Sequence, residues 1–70
     1  MNEFREIRDN DSNGRLEYYG QAEAGTGLGD AKWMIRRYLY SGISETGKVY
    51  PNGSTENIFV WRNRKNYKYS

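Results

Sequence analysis

Seventy residues that include neither cysteine nor histidine must fold without two common staples. No disulfide can form, and a zinc site loses both of its favoured ligand types. A domain of this size buries only about 60% of the surface its unfolded chain exposes. Its core alone rarely supplies more than roughly 3–5 kcal/mol. With the staples removed, contact with a partner is the remaining way to shield apolar surface.

The composition points the same way. The hydrophobic fraction is 36% and the mean hydropathy is −1.08, both low for a globular domain. Against disorder stand aromatic residues at 16%, with seven tyrosines and two tryptophans. Such side chains bury a large apolar body while a polar tip stays wet, and they are enriched at protein interfaces. The first residues, Met1 to Glu6, lack the apolar centre of a signal peptide, and no apolar run reaches the length of a membrane span. The expectation is a chain made in a cytoplasm, with no membrane partner.

Charge is uneven along the chain. Residues 1–12 set Glu3, Glu6, Asp9 and Asp11 against Arg5 and Arg8. They offer only Met1, Phe4 and Ile7 for burial, so the expectation is an N-terminal arm that is flexible or ordered by a partner. Residues 13–70 are expected to form one small domain. Its last segment, 57–70, carries Arg62, Arg64, Lys65 and Lys68 without an acid.

Within that domain, Asp9-Asn10-Asp11-Ser12-Asn13-Gly14 is a turn cluster. Arg15–Glu23 reads as a first strand, and Ala24–Asp30 as a flexible glycine-rich loop. Lys32–Ser41 is the clearest strand. It carries Trp33, Ile35, Arg37 and Leu39 on one face and Met34, Arg36, Tyr38 and Tyr40 on the other. Bulky residues on both faces predict a strand covered twice, once by the core and once by a partner.

A loop over Ser41–Gly47 precedes a short strand at Lys48–Tyr50, and Pro51-Asn52-Gly53 reads as a tight turn. Ile58–Trp61 suits either a strand or a helical turn capped by Asn57, and Tyr67–Tyr69 suits an edge strand. The expected fold is mainly β: a small antiparallel sheet or partly open barrel of about four strands, with one short helical turn near the C-terminus. The expected core is Leu16, Tyr18, Trp33, Ile35, Leu39, Val49, Ile58 and Trp61.

Three motif fragments fail on a required residue. Gly42–Val49 has phosphate-loop spacing, but Val49 stands where a magnesium-binding hydroxyl belongs. Gly25-Thr26-Gly27-Leu28-Gly29 brings its third glycine one residue early for a dinucleotide loop. Asp9–Gly14 opens like a calcium loop, yet Gly20 occupies the position of the bidentate glutamate. Each reads more simply as a turn or a loop, and no metal or cofactor is expected. Without cysteine or histidine, and with scattered acids, the chain shows no catalytic residues and no small-molecule substrate site. The tail Trp61–Tyr69 interleaves basic and aromatic residues, which makes single-stranded nucleic acid the rival partner.

One resemblance adds to this reading. Tyr18-Tyr19-Gly20-Gln21-Ala22, Gly25-Thr26, Trp33-Met34-Ile35-Arg36-Arg37, Val60-Trp61-Arg62-Asn63-Arg64 and the ending Tyr67-Lys68-Tyr69-Ser70 together resemble a group of short tailed-bacteriophage proteins, some of them virion-associated. The resemblance spans residues 17–70. Tyr19 stands in place of the group's isoleucine, Gln21 of its lysine, and Arg62-Asn63 of its paired aspartates. The resemblance implies a structural role in the virion, with other virion proteins or further copies of the chain as partners, and no catalytic residues. The residues expected to touch a neighbour are Tyr19, Met34, Arg36, Tyr38, Tyr40, Arg62, Arg64 and Tyr67.

Overall fold

A computed structural model describes residues 3–70. It is mainly β, with five antiparallel strands and one short 3-10 helix. The strands are β1 (Phe4–Asn10), β2 (Leu16–Glu23), β3 (Ala31–Ser41), β4 (Ser44–Val49) and β5 (Phe59–Val60). The first four form a meander in the order β1-β2-β3-β4, and β5 pairs with the start of β3. The 3-10 helix, Trp61–Asn66, follows β5 directly.

Two tight turns close the first and last of the meander's three connections. In the first, the Asp11 carboxylate accepts from the N–H groups of Asn13 at 2.9 Å and Arg15 at 3.0 Å, and from Arg15 Nε at 3.0 Å. This is the local side-chain-to-backbone bonding that makes aspartate a turn residue. In the second, Gly42 takes φ of 62° ahead of Ile43, and the pair Ser41 and Ser44 closes the loop. A glycine at that first central position matches the right-handed twist of the flanking strands.

The register decides which side chains share a face. Ile7, Gly20 and Ile35 lie in one cross-strand row, and Asp9, Tyr18 and Arg37 in the next. With Ala22 and Trp33, these residues form the inner face. The C-terminal segment then folds over it, and Phe59 and Trp61 join Tyr18, Ala22, Trp33 and Ile35 in a single buried cluster. Ile7, Leu28, Tyr67 and Tyr69 pack around that cluster. Trp33 and Trp61 meet at 6.1 Å between ring centroids, Phe59 and Tyr67 at 5.2 Å edge-on, and Tyr18 and Tyr69 at 5.8 Å. Tilted and edge-on pairs of this kind add to area burial because the ring edge is positive and its face negative.

Several expectations are corrected. The N-terminal arm is a strand: β1 pairs with β2 over its whole length, because backbone bonding needs few apolar side chains. Residues 1 and 2 of that arm lie outside the described residues. Leu16, Leu39, Val49 and Ile58 are not part of the buried cluster, and Ile58 is 54% exposed. Ile58 precedes the helix, which begins at Trp61, so the i, i+3 pairing never forms. Asn57 is not its cap: its side chain donates instead to the Gln21 carbonyl at 3.1 Å. The glycine-rich loop is pinned. Asp30 accepts from Gly27 N at 2.8 Å, Trp33 Nε1 donates to the Gly27 carbonyl at 2.9 Å, and Thr26 is buried. The expected edge strand at Tyr67–Tyr69 reduces to one bridge, between Tyr69 and Pro51.

Candidate functional site

The C-terminal segment covers one face of the sheet and leaves the other open. On the open face, side chains from three strands line up in cross-strand rows. Arg8 of β1 stands opposite Tyr19 of β2, which stands opposite Arg36 of β3. The Arg8 guanidinium lies 5.5 Å from the Tyr19 ring and that of Arg36 lies 4.5 Å from it. Arg36 also reaches the Tyr38 ring at 6.0 Å, and Lys48 of β4 covers the far side of that row at 5.5 Å. A cation near an aromatic face is held by the ring quadrupole, and Arg stacks well because its guanidinium is planar and weakly hydrated.

This ladder explains the one buried tyrosine outside the core. Tyr19 points to the open face yet is only 6% exposed, because two guanidinium groups cover its ring. Its hydroxyl donates to the Glu6 carboxylate. Burial, then the Glu6 hydrogen bond, push the Tyr19 hydroxyl above the ordinary tyrosine pKa. Tyr40 is fixed from both ends: its hydroxyl donates to the Leu16 carbonyl at 2.6 Å, and Arg15 lies 4.7 Å from its ring. Arg15 also donates to the Gly42 carbonyl, tying the first turn to the second. At that second turn Ile43 projects with 95% of its surface exposed.

Of the residues expected to meet a partner, Tyr19, Met34, Arg36, Tyr38 and Tyr40 come together on the open face. Met34, Arg36, Tyr38 and Tyr40 are half-buried there. The other three do not join them. Arg64 is turned to the core side, where it donates twice to Asp9 Oδ2, at 2.9 and 3.0 Å. It also lies 4.6 Å from the Trp61 ring and 6.0 Å from that of Tyr18. The Tyr67 hydroxyl accepts from Val60 N at 2.8 Å while its ring packs on Phe59. Arg62 is exposed, on the helix.

The basic-aromatic tail is therefore divided by the fold. Trp61 is 3% exposed, and Tyr67 and Tyr69 are half-buried against the core. The stacking surface that a tail-bound single strand requires is spent on the protein's own interior, while Arg62, Lys65 and Lys68 face solvent. Sequence reasoning missed Arg8 and Lys48 as members of the ladder. Their signal was the strand register, since Arg8 becomes a neighbour of Tyr19 only once β1 is known to pair with β2.

The other fragments resolve into local structure. Asp11 is engaged by its own turn, and Asp9 by Arg64 across the inner face, so the two carboxylates serve different cations. Lys48 of the phosphate-loop-like segment lies on β4 and pairs with Glu45 at 3.3 Å. An open depression of about 490 Å³ is lined by Phe4, Glu23, Thr26, Lys32 and Asn57. Those residues offer a carboxylate, an ammonium, a threonine hydroxyl and an amide, and among the described residues none of these side chains hydrogen-bonds another.

No protein-family model, curated protein or solved structure matches this chain.

Proposed function

We propose that the protein is a non-catalytic structural component of a bacteriophage virion that packs its open sheet face against neighbouring virion proteins. The observation that carries the reading is the asymmetry of the sheet. One face is closed by the chain's own C-terminal segment. The other displays Met34, Tyr38 and Tyr40 on a ladder of stacked cations. Tyrosine and arginine are the residue types that most often anchor interfaces, because they combine area with directional bonds. The Arg8–Tyr19–Arg36 stack holds its members in place before any partner arrives, which lowers the entropy cost of binding. The resemblance to short tailed-phage proteins supplies the setting; of its departures, Arg62-Asn63 fall on the exposed helix, whereas Tyr19 stands at the centre of this face.

Particles purified from a lysate that expresses the chain test the proposal directly. Quantitative mass spectrometry is expected to find it at a fixed ratio to the major structural proteins through successive purification steps. A ratio that falls towards zero as purification proceeds contradicts it. Tail-mediated binding of single-stranded nucleic acid is not favoured by the inward-turned aromatics. A labelled oligonucleotide is expected to bind weakly, with no gain from base identity and with loss in salt.

A further inference from the structure

Strand β1 is a free edge of the sheet, and its sequence is self-complementary. Alternation fixes which of its backbone groups are spoken for. The Glu3 carbonyl accepts from Ala24 N at 3.0 Å, and Asp11 N donates to the Arg15 carbonyl at 2.7 Å. Between these two points the odd residues Arg5, Ile7 and Asp9 turn their backbone towards β2. The even residues Phe4, Glu6, Arg8 and Asn10 turn their N–H and C=O groups outward, where no described strand meets them. Such an edge is a template for another strand.

We propose that a second copy of this chain fills that template, with the two β1 strands antiparallel about a two-fold axis at Ile7. In this register Glu6 stands opposite Arg8 of the second copy on the open face. Arg5 stands opposite its Asp9 on the inner face, and Ile7 meets Ile7. Within β1 every ionic pair is of opposite sign; the acids Glu3 and Asp11, which the same register sets opposite each other, flank the strand on either side. Each outward N–H group also meets an outward carbonyl, because the register pairs even residues with even. Moving the axis one hydrogen-bonding step either way sets Glu6 against Glu6 or Arg8 against Arg8. Like charges directly opposite are destabilising, so the pattern selects one register.

The side chains are ready for it. Arg64 places both of its hydrogen bonds to Asp9 on Oδ2 and a third on the Trp61 carbonyl, and Asp9 Oδ1 takes none among the described residues. The Tyr19 hydroxyl uses Oε2 of Glu6 and leaves Oε1. Ile7 is half-buried against the core, so its meeting with a second Ile7 would extend the apolar cluster from one copy into the next. The opposite edge, β4, is a poor rival. Its register with β3 shifts between Leu39 and Tyr40 with the extra residue, Thr46, on β4 itself, and a bulge in the edge strand interrupts the flat row of groups that strand addition needs. The register of β1 with β2 also shifts, between Asp9 and Asn10, but there the extra residue, Glu17, lies on β2 and leaves β1 unbulged. A two-fold pairing through β1 closes on itself, giving a dimer rather than a fibre.

Sedimentation equilibrium of the full chain tests this, and it separates the edge from the open face. The parent is expected to dimerise, less tightly as salt rises. Glu6→Arg creates two like-charge pairs by symmetry and is expected to raise the dimer dissociation constant about tenfold or more. Glu6→Arg with Arg8→Glu restores opposite signs, and its constant is expected to return to within about threefold of the parent's. Tyr38→Ala with Tyr40→Ala is expected to leave the constant unchanged. A parent that stays monomeric overturns the proposal. So does a single reversal that dimerises as tightly as the parent, or a folded double swap that stays dissociated. If Glu6→Arg lowers the strand signal in circular dichroism, Arg8→Pro decides instead. It removes an outward N–H without touching the β1–β2 bonds. A folded Arg8→Pro chain that is monomeric supports the proposal, and one that still dimerises overturns it.

Discussion

A Cβ built on Gly20 would lie 2.6 Å from Cε3 and 2.8 Å from Cζ3 of Trp61, and 3.2 Å from Cγ2 of Ile7. The glycine is there because the Trp61 ring rests directly on the β2 backbone. Gly20→Ala must push that ring outward, and Trp61 is also packed at a tilt against Trp33 and lies beside the Arg64 guanidinium. The expected loss is about 1–3 kcal/mol, measured by urea unfolding, because overpacking a filled core forces strain. Trp61→Ala is expected to cost about 3–5 kcal/mol, close to the whole stability of so small a domain. Circular dichroism of that variant is expected to show a largely unfolded chain. The tyrosines set the response to alkali. Burial raises the pKa of Tyr69, Tyr18 and Tyr19, most of all Tyr69. A raised folded-state pKa means stability that is full below the ordinary tyrosine value of about 10 and lost as pH climbs through the folded value. Thermal melts are expected to hold steady up to about pH 9 and then fall, with tyrosinate absorbance rising together with unfolding. At the acid end, hydrogen bonding from the Arg15 N–H first of all lowers the pKa of Asp11. The turn it holds is therefore expected to weaken as pH drops below about 4.

The elements differ in how legible they were. Lys32–Ser41 announced itself through β-branched and aromatic residues, and β3 covers nearly the same span. The β1–β2 turn was equally plain, because Asp, Asn and Gly carry their own reasons to turn. β1 was hidden. Phe4-Arg5-Glu6-Ile7-Arg8-Asp9-Asn10 has an almost entirely polar surface, and its place in the sheet rests on backbone bonds to β2 and on Ile7 alone in the core. No local pattern announces that. The C-terminal segment was half legible. Trp61 belonged to the core as expected, but Phe59 rather than Ile58 faces inward, because β5 pairs with Ala31 and Trp33 and fixes the alternation. The candidate surface followed the same rule. Tyr38, Tyr40 and Met34 were visible as the second face of one strand, whereas the cations that stack beside them come from other strands and from the register.

At the scale of the whole molecule, the fold divides its aromatic residues between two tasks. Phe59, Trp61, Tyr67 and Tyr69 close the inner face, and Tyr38 and Tyr40 stand with Met34 on the outer one. The closed side makes the chain a folded body. The open side, with its stacked arginines, is left for a neighbour in the proposed assembly. Substituting the outer tyrosines spares every aromatic pair of the core, so Tyr38→Ala with Tyr40→Ala is expected to stay folded, with a small drop in melting temperature from the lost Tyr40–Leu16 bond. The decisive measurement is the amount of this double variant incorporated into particles, relative to the parent chain expressed at the same level. A folded variant found at a small fraction of the parent's copy number is the predicted result. A folded variant incorporated at the parent's copy number would contradict the claim that the open face binds the assembly.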